Sequence, residues 1–205
     1  MSYEIYIFGS AVRGEVAINS DVDVLVITDQ VEEKSTFPET WSIYSKKSIE
    51  KLFSQGKLFA WHLYLDAKCI YSSKPTNFLE QIGEPAKYKD LICDFSALNE
   101  LLDSSLSEVK ITNSEVFEIG LIYTALRDIA MVASTTLCDR PCFSRYSPYK
   151  IPLKISLPKD LYESMIEARL TSTRGLEFTG DTSRIIDELI SYDIKLWVQE
   201  IKKKL

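Results

Sequence analysis

The strongest constraint on this chain is the stretch of residues 8–28, where two apolar segments flank a pair of aspartates. The first segment ends at Gly9-Ser10, and the second consists of Val, Leu and Ile apart from Asp23, a composition that predicts a buried strand. Strand geometry puts Asp21 and Asp23 on one face, with their Cα atoms roughly 6.5 Å apart. Two carboxylates this close repel each other, and a divalent cation removes the repulsion. The stretch therefore predicts a magnesium site.

The Gly9-Ser10 pair supplies features of a phosphate site. Glycine allows a sharp turn and lets a ligand approach the main chain closely. A short helix beginning near Ser10 would direct free amide groups and its positive dipole end toward the carboxylates. Arg13 follows one turn later and offers a cation to a triphosphate. Metal ligands and phosphate donors together indicate phosphoryl or nucleotidyl transfer.

The segment resembles the signature of the DNA polymerase β-type nucleotidyltransferase superfamily, in particular its minimal bacterial members. Those proteins carry Gly-Ser, then Arg-Gly a few residues on, then Ser-Asp-x-Asp followed by an apolar strand. The same elements occur here in register and without insertion, as Gly9-Ser10, Arg13-Gly14 and Ser20-Asp21-Val-Asp23. Several elements coincide, which makes the motif specific.

The resemblance implies an enzyme that moves a nucleoside monophosphate from a nucleoside triphosphate to an acceptor hydroxyl. ATP is the expected donor, pyrophosphate is the leaving group, and two magnesium ions assist the reaction. The residues that match the family's motif take the corresponding roles: Asp21 and Asp23 as metal ligands, and Gly9, Ser10, Arg13 and Ser20 at the nucleotide.

Active members of the family usually carry a third carboxylate on a later strand, which helps hold metal and deprotonates the attacking hydroxyl. Here the third strand, predicted at residues 40–44, has Ser42 in its middle and no acid. Asp66 is the predicted substitute and Glu39 the second candidate. His62 lies four residues before Asp66 and is interpreted as a core histidine that bonds a backbone carbonyl.

Turn-forming residues around 72–85 predict a domain boundary, with a catalytic domain over 1–85 and a helical substrate-binding domain over 86–205. The first domain is predicted as an α/β (α+β) fold with a small mixed sheet and helices packed on it. Beyond the boundary, apolar residues recur at helical spacing. That pattern predicts an all-α helical bundle with helices at residues 88–106, 114–137, 159–170 and 184–205.

Arg127 lies in an apolar part of the second bundle helix, where a buried cation needs a partner. One interpretation pairs it with an acid from another element. The other places Arg127, Arg145 and Tyr149 at the phosphate or the acceptor, because related nucleotidyltransferases use a C-terminal helical bundle in this way.

The composition narrows the function further. A formal charge of −6 counts against binding of extended nucleic acid, and one histidine with four scattered cysteines counts against zinc. No apolar run reaches the roughly 18 residues of a membrane span and no leader is evident, so a cytoplasmic protein without a membrane partner is expected.

Three functions stay open: modification of a small molecule such as an aminoglycoside, antitoxin-like modification of a partner protein or an RNA end, and a catalytically degraded nucleotide-binding regulatory module. The oligomeric state, including a homodimer, stays open too.

Overall fold

The computed structural model describes residues 3–16, 21–29 and 36–205. The chain divides into two compact units, and the first consists of Met1–Asp90 together with Phe143–Arg145. The second unit comprises Leu91–Cys142 and Tyr146–Leu205. The chain therefore returns to the first unit for three residues. The predicted functional division at residue 85 stays a prediction.

Four strands form the sheet of the first unit, in the order β3-β2-β1-β4. Strand β1 pairs antiparallel with β2 and with β4, whereas β2 pairs parallel with β3, so the predicted mixed sheet is confirmed. The bounds are β1 Tyr3–Phe8, β2 Asp23–Thr28, β3 Ser42–Tyr44 and β4 Lys68–Tyr71. β3 is shorter than the predicted 40–44, because a turn whose Trp41 N–H donates to the Pro38 carbonyl precedes it.

The register of the sheet brings the motif residues together. β1 ends at Phe8, which lies opposite Asp23 at the start of β2. The segment that follows β1 and the aspartate that opens β2 therefore meet at one end of the sheet. β2 is buried along its length apart from Asp23, as its apolar composition predicts.

Three helices of the first unit contribute to the core under the sheet. They are α1 Lys46–Ser54, α2 Leu58–Asp66 and α3 Phe78–Ile82. Ser45 caps α1 by accepting a hydrogen bond from the Ser48 N–H, as the capping preference of serine predicts. One apolar cluster joins both central strands to these helices and includes Tyr6, Phe8, Leu25, Ile27, Ile49, Phe53, Ala60, Leu63, Phe78 and Leu79.

The second unit is helical, as predicted. Its helices are α4 Leu91–Glu108, α5 Glu115–Leu137, α6 Ser147–Lys150, α7 Lys159–Arg174, α8 Thr182–Ser191 and α9 Ile194–Lys202. The prediction of one helix over 184–205 is wrong. Asp193 accepts a hydrogen bond from the Leu196 N–H and so caps a new helix, which divides the segment into α8 and α9. In the described part of the chain, no helix has the length and apolarity needed to cross a membrane.

One buried carboxylate links the sheet to α3. Glu4 is 6% exposed and accepts hydrogen bonds from the Phe78 N–H at 2.8 Å and from the hydroxyl groups of Tyr6 and Ser72. Burial raises the pKa of Tyr6, and the hydrogen bond to Glu4 raises it further, so this phenol stays protonated. The carboxylate thereby satisfies donors from three parts of the first unit.

Substitution Glu4→Ala is expected to lower the free energy of unfolding by about 2–4 kcal/mol, because it leaves the buried Phe78 N–H and Tyr6 hydroxyl without their acceptor. Urea denaturation of the full chain measures the change. The exposed Glu80 on α3 offers a matched control, and Glu80→Ala should change stability by less than about 0.5 kcal/mol. Equal effects of the two substitutions would contradict the role of Glu4.

Candidate active site

The main chain of Gly9 and the carboxylate of Asp23 lie against each other at the end of β1. Gly9 adopts a φ of +73°, which favours glycine. A Cβ atom at this position would lie 2.2 Å from Asp23 Oδ2 and 3.2 Å from its Cγ. Residue 9 must therefore be glycine both for its backbone conformation and for the close approach of the carboxylate.

The segment after β1 folds into a compact turn that carries Ser10 and Arg13. The helix expected near Ser10 is a single 3-10 turn, Gly9–Ala11, with no side-chain cap at Phe8. Backbone hydrogen bonds from Arg13 N–H to the Gly9 carbonyl (3.3 Å) and from Glu15 N–H to the Ser10 carbonyl (2.9 Å) extend the turn. The turn, and not a longer helix, thus places the predicted nucleotide-binding residues.

The two aspartates differ in their backbone setting. Asp23 opens β2, whereas Asp21 precedes the strand, and both residues are exposed. The alternation argument from the sequence requires both aspartates in one strand, so it does not hold for this pair. Burial raises the pKa of Asp23; His62 and Arg13 act against the rise, and Asp21 adds to it. A partly desolvated carboxylate beside a second one has the donor chemistry that suits a magnesium ion, so these residues fit the metal that the family implies.

Three side chains hold the guanidinium group of Arg13. Its Nε donates to Glu15 Oε2 at 3.1 Å, and its Nη1 donates to Asp66 Oδ2. The same Nη1 lies 3.2 Å from His62 Nε2. Arg13 keeps 19% of its side chain exposed, so it remains accessible to a ligand while its orientation is fixed.

Asp66 and His62 lie one turn apart on α2, and the carboxylate Oδ2 is 3.1 Å from His62 Nε2. Burial acts to raise the pKa of Asp66, but hydrogen bonds from His62 and Arg13 outweigh it and hold this pKa below its usual range. His62 Nε2 faces the side chains of Arg13 and Asp66, so this nitrogen does not bond a backbone carbonyl in the way the sequence suggested.

The predicted third carboxylate stays a prediction. Within residues 3–16, 21–29 and 36–205, no three His, Cys, Asp or Glu side chains gather as a metal-binding group. Glu39, the second candidate, is exposed in the turn before β3. Ser20, predicted at the nucleotide, lies outside the described residues.

Residues 143–145 contribute to this site although they are distant in sequence. The ring of Phe143 stacks on that of His62, with centroids 4.6 Å apart and planes at 20°. Ser144 Oγ donates to Glu15 Oε1 at 2.5 Å. The sequence does not point to Phe143, Ser144 or Glu15, because a contact such as that of Ser144 with Glu15, across 129 positions, leaves no local periodicity. Substrate binding by the adjacent Arg145 stays a prediction.

Two further candidates, Arg127 and Tyr149, belong to the second unit. Arg127 Nε donates to Asp128 Oδ1 at 2.7 Å, and its guanidinium lies 5.6 Å from the centre of the Tyr123 ring. The predicted partner from another element is therefore wrong, since the neighbouring residue supplies the acid. The Tyr149 hydroxyl donates to the Leu157 carbonyl at 3.0 Å. Contact of Arg127 and Tyr149 with substrate stays a prediction.

Comparison with known families identifies a match over the first unit. Residues 2–92 match the family model described as a nucleotidyltransferase domain. This match confirms the resemblance to the DNA polymerase β-type superfamily for that part of the chain. No curated protein matches the chain.

Mg²⁺ is expected to raise the melting temperature of the wild type, and Gly9→Ala is expected to abolish that rise, because the new methyl group displaces the Asp23 carboxylate. Gly14 is a matched control, since its φ is +70° and a Cβ there meets nothing within 4 Å. Both substitutions should destabilise the metal-free protein by about 1 kcal/mol through backbone strain. Thermal melts with Mg²⁺ and with EDTA separate the two effects, and a wild-type Mg²⁺ response in Gly9→Ala would contradict the clash.

Substitution Asp23→Asn is expected to leave the metal-free protein at least as stable as the wild type at neutral pH. Because the native pKa of Asp23 is raised, the wild type loses stability as pH rises from the unfolded value of about 3.9 through the native pKa. The difference between the proteins should therefore move in favour of Asp23→Asn over that interval. Urea denaturation in EDTA at several pH values measures it, with the exposed Asp139→Asn as control. A shift in favour of the wild type would contradict the raised pKa.

Proposed function

We propose that this protein transfers a nucleoside monophosphate from a nucleoside triphosphate, with ATP as the expected donor, to an acceptor hydroxyl, because residues 2–92 match the nucleotidyltransferase domain family. The observation that supports the proposal most is the meeting of Asp23 with the main chain of Gly9, beside the fixed guanidinium of Arg13. Metal-ligand chemistry and phosphate-binding chemistry thereby share one end of the sheet.

In the proposed mechanism, Asp21 and Asp23 would hold two magnesium ions. When bound, the ions would neutralise charge on the triphosphate and on the entering and leaving oxygens. The chain keeps the Asp23 carboxylate against the Gly9 turn. There, partial burial and the negative charge of Asp21 both disfavour the ionised form of Asp23. Metal binding at this position would relieve that unfavourable charge.

Arg13 would bind the triphosphate together with Gly9 and Ser10, and with Ser20 from outside the described residues. Its Nε and Nη1 already donate to protein carboxylates. In the described part of the chain Nη2 has no hydrogen-bond partner, so it is the edge of the guanidinium that we assign to a phosphate oxygen.

We assign Asp66 to the orientation of Arg13 in preference to the role of general base. Its Oδ2 carries the contacts to Arg13 and His62, and a carboxylate with a lowered pKa is a weak proton acceptor. Glu39 is then the remaining candidate from the sequence for deprotonation of the acceptor. The acceptor itself is proposed to be a small molecule or a protein side chain, with Arg127, Arg145 and Tyr149 as its contacts.

A second candidate function follows from the composition of β3. This strand reads Ser-Ile-Tyr and carries no carboxylate, where active members of the family usually carry one. The observation favours a regulatory module that binds nucleotide without efficient transfer. The two functions share the nucleotide site and differ only in the chemical step.

The proposal predicts that the full chain transfers label from α-³²P-ATP to an acceptor in Mg²⁺ and that EDTA abolishes the transfer. Incubations with the other nucleotides, with aminoglycosides and with cell lysate identify the donor and the class of acceptor. Loss of a metal ligand in Asp23→Asn should lower the rate at least about 100-fold. Asp139→Asn, exposed in the second unit, should label at the wild-type rate.

Full activity of Asp23→Asn would refute the metal role of this residue. Mg²⁺-dependent ATP binding without any transfer would favour the regulatory module. Absence of both binding and transfer for every nucleotide would refute both functions.

A further inference from the structure

The three residues 143–145 form a return segment that belongs to the first unit although the chain on either side belongs to the second. Within it, Phe143 is 5% exposed and Ser144 is 1% exposed. A hydroxyl and an aromatic ring buried this completely are held in fixed positions, so their contacts are part of the architecture of the first unit.

One contact of the return segment leads to Arg13 through Glu15. Ser144 Oγ donates to Glu15 Oε1 at 2.5 Å, and Glu15 Oε2 accepts from Arg13 Nε at 3.1 Å. The Glu15 N–H also donates to the Ser10 carbonyl at 2.9 Å, so Glu15 is bonded through its main chain to the same turn that carries Arg13. A hydrogen bond from a hydroxyl to a carboxylate is charge-assisted and directional.

A second contact leads to the same guanidinium through His62. The Phe143 ring stacks on the His62 imidazole, whose Nε2 lies 3.2 Å from Arg13 Nη1 and 3.1 Å from Asp66 Oδ2. The stacking fixes the plane of the imidazole, and the imidazole in turn limits where Nη1 can lie. Both routes therefore end at Arg13, on different nitrogens of its guanidinium.

We propose that Phe143 and Ser144 are positioning residues that preorganise Arg13 for the triphosphate. The inference rests on the proposed nucleotide site, to which it adds two residues that the family match over 2–92 does not include. An arginine side chain loses much conformational freedom when it is ordered, and ordering it before the ligand arrives removes that loss from binding. A chain without the return segment would keep the whole motif and bind nucleotide weakly.

The test combines nucleotide affinity with hydrogen–deuterium exchange on the full chain. Ser144→Ala should weaken binding of a fluorescent ATP analogue in Mg²⁺ about three- to tenfold, the range for loss of one ordering hydrogen bond. It should also raise amide exchange in residues 9–15, because Glu15 loses its brace. In a Glu15→Ala background, Ser144→Ala should add no further loss of affinity, since the route through Glu15 is already broken.

Two further variants test whether the effects on affinity and exchange depend on the position of the substituted side chain. Phe143→Leu retains an apolar side chain but removes the stack on His62. It should lower the melting temperature by a few degrees, because a buried ring is replaced by a smaller side chain, and it should weaken binding at temperatures where the variant is fully folded. Ser105→Ala removes an equally buried hydroxyl, 2% exposed, from α4 and should leave both affinity and exchange at wild-type values.

Unchanged exchange at residues 9–15 in Ser144→Ala would overturn the inference, as would wild-type affinity in both Ser144→Ala and Phe143→Leu. A further loss of affinity for Ser144→Ala in the Glu15→Ala background would also overturn the route through Glu15. If the wild type binds no nucleoside triphosphate, the proposed function fails, and the exchange result alone then supports or overturns the positioning of Arg13.

Discussion

The approach of the Asp23 carboxylate to the main chain of Gly9 is the constraint on which the rest of this site depends. It needs a glycine with positive φ at the end of β1 and a register that sets Phe8 opposite Asp23. The antiparallel pairing of β1 and β2 provides that register, and the buried apolar residues of β2 secure it against slippage. The core of the first unit thus fixes the geometry of a polar site that lies at one end of the two central strands.

The contacts around Arg13 balance the charges of the acidic residues near it. Arg13 has acidic partners in Glu15 and Asp66 and also lowers the pKa of Asp23. A single cation therefore serves three carboxylates, one of which we assign to metal. Glu15 and Asp66 accept hydrogen bonds from Nε and Nη1, and Arg13 acts on the Asp23 carboxyl group through its charge. The two acids thereby fix the orientation of the guanidinium group.

The parts of the molecule that follow from local patterns could be read from the sequence, and those that depend on distant contacts could not. The mixed sheet and the helical second unit follow from periodicity, and the meeting of Gly9 with Asp23 follows from their places at strand ends. The break between α8 and α9 was missed because the capping aspartate at 193 lies inside a continuous apolar pattern. The pairing of Arg13 with Asp66 and the contacts of Ser144 join residues far apart in sequence, and no local pattern encodes them.

The return segment has a consequence for the order in which the protein is made. Synthesis proceeds from the N-terminus, so a nascent chain that has emerged through residue 90 contains all four strands and the whole motif from Gly9 to Asp23. It does not yet contain Phe143 or Ser144. The first unit can therefore collapse on the ribosome around its apolar core, while Arg13 reaches its final setting only after residues 91–142 of the second unit have also been translated. The setting of Arg13 is in this sense coupled to synthesis of a part of the chain that follows the first unit by about 50 residues.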